Sequence, residues 1–117
     1  HGLQTRIHFI GWSANPYKFI KNAEISVLTS EAEGMPRVLV ESAVIGTPVI
    51  SSNCYSGPGE VLTGENAQYL FAVGDVGSLT QKLNHMLAHP SAQTIDIARF
   101  DSHRIKQSYL ALLPRDN

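Results

Sequence analysis

The sequence predicts an α/β domain: a parallel sheet with helices packed on both of its faces. Two observations lead there. Short β-branched apolar runs alternate with longer segments that carry helix start and stop signals. Those runs are also continuously apolar, the pattern of strands covered on both sides.

Taken in order, Ile7-His8-Phe9-Ile10, closed by Gly11, reads as a short buried strand. Asn15-Pro16 starts a helix, Asn as N-cap and Pro at the first helical position, that runs to Ala23. Ile25-Ser26-Val27-Leu28-Thr29 is the second strand. Pro36 opens the most apolar segment, Arg37 to Ile45, whose length favours helix over strand, and Gly46 with Pro48 stops it. Pro48 to Ser52 forms the third strand. A Gly/Pro/Ser-rich loop follows to about Asn66, with one helical turn near Glu60-Val61-Leu62. Tyr69 to Val73 is the fourth strand. Asp75 caps a helix from Val76 to Ala88, with Leu79, Leu83, Met86 and Leu87 on one face and Pro90 beyond its end. Ser91 to Arg99 fits no single element. Asp101 caps a last amphipathic helix striped by Ile105, Tyr109, Leu112 and Leu113. Right-handed crossovers gather the loops after the strands on one edge, where such folds bind ligands. Here that edge comprises Gly11 to Ala14, Ser30 to Met35 and Asn53 to Gly59.

Composition narrows the function. The 117 residues fit one domain with a real core, and 43% hydrophobic against 16% charged content excludes a disordered chain. Nine basic and ten acidic residues leave a net charge of −1, which argues against a broad nucleic-acid footprint. Polyanion binding would have to come from local geometry. The single Cys54 precludes an internal disulfide and fits a reducing compartment. No apolar run reaches the roughly 18 to 20 residues that span a bilayer. The polar opening His1 to Arg6 is unlike a secretory leader, so a cytoplasmic location is expected. The chain starts without Met and is expected to be cut from a longer protein.

The informative segment is Glu31-Ala32-Glu33-Gly34-Met35-Pro36-Arg37-Val38-Leu39-Val40-Glu41. A strand ends, glycine permits close backbone approach, and proline starts a helix whose amino end points into the ligand edge. Such an end carries roughly half a positive charge and unpaired N–H groups, so it favours phosphate even without lysine. Glu33 precedes the helix; Glu41 lies about a turn and a half inside it, among Val38, Leu39, Val40 and Ala43. A carboxylate on so apolar a helix needs a partner, since burial alone costs several kcal/mol, on the order of 3 to 5. Vicinal ribose hydroxyls can each donate to one of its oxygens. A salt bridge to Arg37 serves equally well, and the residues alone leave both open.

The Glu33-Gly34-Met35-Pro36-Arg37-Val38-Leu39-Val40-Glu41-Ser42-Ala43 pattern closely resembles the signature of the retaining glycosyltransferases of family 4, which have the GT-B fold. Ile45 to Cys54, Ser56 to Leu62, Arg6 to Trp12, Asn15-Pro16-Tyr17 and Val73-Gly74-Asp75 are similar to that family too, so the resemblance covers nearly the whole chain. It implies a Rossmann-like C-terminal domain spanning residues 1–117, truncated at its start and separated from its acceptor-binding N-terminal domain. It also implies binding of a nucleoside-diphosphate sugar, UDP- or GDP-linked, for transfer to a glycan or lipid-linked acceptor with retention and without a metal or other cofactor. By motif, Glu33 would face the donor sugar and the reaction centre. The backbone amides of Gly34, Met35, Arg37 and Val38, around Pro36, would meet sugar hydroxyls and diphosphate. Glu41 would hold the ribose, and Gly11 and Trp12 would meet the base. The product class would be a surface polysaccharide or lipid-linked glycan, with any peripheral contact to the inner membrane face residing mainly in the other domain.

One departure stands out: Gly59 occupies a position where the family commonly has Arg. The basic residues that grip the diphosphate in the family would lie before His1, so the chain alone is expected to bind nucleotide weakly and transfer no sugar. A non-catalytic nucleotide-sugar-binding module and a GT-B sugar-nucleotide epimerase are the alternatives. A dinucleotide oxidoreductase is disfavoured, because no Gly-x-Gly-x-x-Gly follows a strand. His85 and His89 have zinc-like spacing, but Met86 stands where a metalloprotease needs Glu, and they read as exposed helix residues. Cys54 reads as a packing residue and His8 as part of a buried strand. Arg99, Arg104 and Lys106 read as a solvated face.

Overall fold

The computed structural model of the chain describes residues 2–112, with side chains described as far as Gln107. Three parallel strands form its sheet: β1 (Ser26–Leu28), β2 (Val49–Ser52) and β3 (Leu70–Phe71), in that spatial order. Ser26 pairs with Val49 and Leu28 with Ser51; Ser51 pairs in turn with Leu70 and Ser52 with Phe71. The helices are α1 (Tyr17–Asn22), α2 (Arg37–Ile45), α3 (Pro58–Val61), α4 (Val76–Ala88) and α5 (Ser102–Leu112), with 3-10 turns at Gly64–Tyr69 and Ala98–Phe100.

Every residue of the central strand β2 is buried, so both sheet faces are covered. Val49 packs on one side with Leu39 of α2, Val61 of α3, Leu62 and Ile95. Ile50 faces the other side with Phe71 and Met86, backed by Leu79 and Leu83 of α4. This is the Rossmann-like, doubly covered sheet that the alternating pattern predicts. Its buried hydroxyls are paired: Ser42 Oγ donates to Ser26 Oγ at 3.1 Å, and Ser52 Oγ to the Ser30 carbonyl at 2.6 Å.

Where local chemistry is strong, the expected elements stand. The bounds of α2 follow from Pro36 before it and Gly46 after it, in a left-handed conformation (φ 91°) with its N–H on the Ser42 and Ala43 carbonyls. Asp75 caps α4 by accepting from the Ser78 N–H at 2.9 Å, and Asp101 accepts likewise from Arg104 at 3.0 Å. We expect Asp75→Ala to cost about 1 kcal/mol, read from chemical denaturation, with no change in m-value. A loss under a few tenths would mean that the cap bond contributes little.

Four expectations require correction. Ile7 to Ile10 is not a strand: it has no ladder partner among the described residues, and Phe9 stands 97% exposed and Ile7 52%. A strand exists only as a pair, and the local bonds here, Arg6 and Ile7 N–H to the Leu3 carbonyl, make a turn instead. His8 is accordingly exposed rather than buried. Helix α1 begins one residue late, because Pro16, already helical at φ −71°, takes the cap position and Asn15 makes no side-chain cap. The last strand shrinks to Leu70–Phe71 because the 3-10 turn takes Tyr69 at one end and a turn, with the Asp75 N–H on the Ala72 carbonyl at 2.9 Å, takes Ala72 and Val73 at the other. Leu87 is 49% exposed and leaves the buried face of α4 to Met86.

The segment without a clear signal, Ser91 to Ile97, is irregular chain held against the start of β2. Gln93 Oε1 accepts from the Val49 N–H at 2.8 Å and its Nε2 donates back to the Val49 carbonyl at 3.2 Å, while Ile95 enters the core. Of the stripe expected on α5, Ile105 is 43% exposed; the Tyr109 and Leu112 side chains and Leu113 lie outside the described residues.

Candidate functional site

In a parallel sheet the strands all end on the same edge, and the two loops leaving β1 and β2 meet there. They are laced together by the Ser52-to-Ser30 bond and by an isolated parallel bridge between Ala32 and Tyr55. Gly57 then presses against the turn that opens α2. A Cβ built on it would lie 2.6 Å from Pro36 Cδ and 2.9 Å from the Gly34 carbonyl, and its φ of +93° is one that side chains resist. Ser56 beside it has a positive φ of 64°. The Gly34-Met35-Pro36 turn and the Ser56-Gly57-Pro58 turn therefore form one close-packed unit at the amino end of α2.

Glu33 sits half-buried in that unit, and its Oε1 accepts from Ser30 Oγ at 2.6 Å. A short bond to an ionised oxygen orients the carboxylate firmly, and a carboxylate has capacity for several donors. Glu41 lies inside α2, about 6 Å along the helix axis from Arg37. Its side chain is 30% exposed, and its Oε1 stands 3.7 Å from Arg37 Nη2, whose side chain is 81% exposed. That separation is beyond hydrogen-bond length, and so exposed a pair contributes at most about 1 kcal/mol. Glu41 also borders a cavity of about 350 Å³ between α1 and α2, with Tyr17, Val40, Val44 and Ile45.

Pro36 is buried, whereas Gly34, Met35 and Arg37 are exposed and Val38 is half-buried. The Arg37 N–H is turned onto the Met35 carbonyl at 2.8 Å, and the Leu39 N–H onto the Pro36 carbonyl at 3.0 Å. The first turn of α2 carries no acidic residue, so its positive end is not offset from within.

Gly11 and Trp12 follow the unpaired Ile7–Ile10 segment, and Trp12 is 88% exposed; no strand delivers them to the edge. A larger cavity, about 530 Å³, lies at the opposite edge, among Ile25, Pro48, Met86 and Pro90 where the strands begin. Cys54 is buried at 6% exposure, as expected of a packing residue. His85 and His89 stack on α4 with ring centroids 4.7 Å apart, and both are exposed. Among the described residues, no cluster of three or more His, Cys, Asp or Glu is assembled. Nor is any helix there long and apolar enough to cross a membrane.

Sequence reasoning places Ser30, Tyr55 and Gly57 on the ligand edge but misses three contacts there: Ser30 on Glu33, Tyr55 on Ala32 and Gly57 on Pro36. Ser30 had a legible signal, its spacing of three from Glu33, which suits a hydroxyl-to-carboxylate bond. The other two are long-range pairings with no local mark.

Comparison with known proteins gives this arrangement a family. A lipopolysaccharide 1,6-galactosyltransferase of Salmonella typhimurium is 34% identical over 92 residues, covering 74% of this chain and 25% of that protein. The lipopolysaccharide core biosynthesis glycosyltransferase LpsD of Rhizobium meliloti is 28% identical across 97% of this chain and 35% of its own length. An N-acetylgalactosaminyltransferase of Campylobacter jejuni, acting on N-acetylgalactosamine-N,N'-diacetylbacillosaminyl-diphospho-undecaprenol, is 29% identical over 73% of the chain and 23% of that protein. The chain thus spans between about a quarter and a third of the length of these relatives. The family model described as glycosyl transferases group 1 matches residues 1–99, and the chain belongs to that family.

Proposed function

We propose that this chain is the donor-binding, C-terminal part of a retaining glycosyltransferase of family 4 with the GT-B architecture. Its ligand is a nucleoside-diphosphate hexose, UDP- or GDP-linked, and the acceptor is a glycan or a lipid-linked saccharide held by an N-terminal domain. The observation that carries this reading is the amino end of α2, with no acidic residue in its first turn, the oriented Glu33 before it and the weakly paired Glu41 inside it. The names of the relatives, sugar transfer to lipopolysaccharide or to a diphospho-undecaprenol saccharide, support the acceptor class.

In this reading the diphosphate lies against the helix end, where the peptide dipoles offset its charge. Glu33 receives hydroxyls of the transferred sugar, and Glu41 takes the ribose hydroxyls in preference to its loose contact with Arg37. The anomeric carbon–oxygen bond breaks, its electron pair leaves with the diphosphate, the acceptor hydroxyl oxygen bonds the same face of the sugar, and the hydroxyl's proton passes to the departing diphosphate oxygen. Charge developing on the leaving group is met by amides that are already in position. The amides of Gly34, Met35 and Val38 supply that surface, and neither a metal nor another cofactor is required.

Equilibrium dialysis of the chain against UDP, GDP and inorganic pyrophosphate tests the assignment. Glu41→Ala is expected to weaken the nucleotides roughly tenfold or more and to leave pyrophosphate unchanged, since only the ribose contact is lost. Equal affinity of the variant and the parent chain for both nucleotides would remove Glu41 from the site.

A further inference from the structure

We infer that the cavity between α1 and α2 receives the nucleobase of the donor, with Tyr17 as its aromatic wall; this deepens the donor-site reading and rests on it. Five residues line that cavity of about 350 Å³: Tyr17 from the first position of α1, and Val40, Glu41, Val44 and Ile45 from α2. Its volume falls within the range of small-molecule sites, roughly 300 to 1,000 Å³. The lining is apolar yet open to solvent, Val44 being 64% exposed and Tyr17 47%. Steps of three and four residues place Glu41, Val44 and Ile45 on one face of α2. The opposite wall is tied to that helix: buried Thr47, two residues past the end of α2, donates from Oγ1 to the Ile20 carbonyl of α1 at 2.7 Å.

The carboxylate in the lining separates this cavity from an ordinary surface groove. Glu41 is the one charged residue there, and it is the group proposed to hold the ribose hydroxyls. In a nucleotide the base is joined to the ribose carbon next to one that bears a hydroxyl. A ribose held by Glu41 therefore brings the base within about one ring's width of that carboxylate, which is where the cavity lies. Direction agrees with distance. From Glu41 the helix axis runs about 6 Å up to Arg37 at the amino end, where the diphosphate is placed, and about 4 to 6 Å down to Val44 and Ile45. Diphosphate, ribose and base thus follow one another along α2 in the order in which they are bonded. A base offers a flat π face that aromatic and aliphatic side chains cover, and that face is common to all bases. Polar groups able to read its edge are few here, the Tyr17 hydroxyl and Glu41 itself, so uracil and guanine are both held chiefly by the face. Gly11 and Trp12 do not line the cavity.

Calorimetric titration of the chain with UDP, GDP and the base-free ribose 5-phosphate tests the proposal in parent, Tyr17→Ala and Tyr17→Phe forms, with far-UV circular dichroism as the check of folding. Tyr17→Ala is expected to weaken whichever nucleotide the parent binds by about tenfold and to leave ribose 5-phosphate unaffected, while Tyr17→Phe binds as the parent does. No loss for either nucleotide, a loss of equal size for ribose 5-phosphate, or a Phe variant as weak as Ala would overturn the role of Tyr17 and leave Glu41 and the donor site standing. Failure of the parent chain to bind either nucleotide would overturn the donor reading and the base cavity with it.

Discussion

Gly57→Ala should be among the most damaging small substitutions in this chain, despite adding one methyl group. Two costs combine. The backbone is held at φ +93°, a region that side chains adopt at roughly 1 to 3 kcal/mol. The new Cβ also meets Pro36 Cδ at 2.6 Å and the Gly34 carbonyl at 2.9 Å, and neither neighbour is the flexible end of a side chain. Overpacking against such a wall adds about another 1 to 3 kcal/mol. The melting temperature should fall by roughly 10 to 25 °C, and nucleotide binding should weaken further, because the displaced turn is the one that opens α2. Gly74→Ala is the control: its φ is likewise positive at 79°, but nothing lies within 4 Å of its Cβ, so it should cost only about 1 kcal/mol. Equal melting temperatures for the two variants would show that the two turns do not depend on this contact.

The second large effect is on catalysis. In the intact glycosyltransferase that the donor-site reading requires, Glu33→Ala should lower kcat about 100- to 1,000-fold with donor affinity changed far less, the pattern of a group acting mainly in the transition state. Ser30 offers a graded companion. It orients Glu33 through a 2.6 Å bond, so Ser30→Ala should reduce kcat by about 3- to 10-fold while leaving the carboxylate in place. Steady-state kinetics beside direct donor binding distinguishes the cases. A Glu33→Ala enzyme with unchanged turnover and intact binding would leave the chain as a nucleotide-sugar-binding module.

How much was legible in the sequence follows the range of the interactions concerned. Helices α2 and α4 have the expected bounds, because the residues that start and stop them are adjacent in the chain: Pro36 and Gly46, Asp75 and Pro90. The strand expected at Ile7–Ile10 fails for the opposite reason. Its apolar, β-branched composition is a local property, but a ladder needs a partner elsewhere, and the segment has none. The irregular run past Ser91 escaped notice because its anchor, Gln93 on Val49, spans 44 residues. The candidate site divides the same way. Glu33 and Glu41 declared themselves through their neighbours, whereas the wedge of Gly57 on Pro36 and the bridge from Ala32 to Tyr55 arise only when two separate strands end side by side.

Backbone amide shifts followed by NMR, as the isotopically labelled chain is titrated with UDP- and GDP-hexoses, give the most direct answer. The account predicts that perturbations concentrate from Ser30 to Glu41 and around Tyr55 to Gly57. Shifts confined to the opposite edge, near Ile25, Met86 and Pro90, or no shifts with any donor, would contradict it.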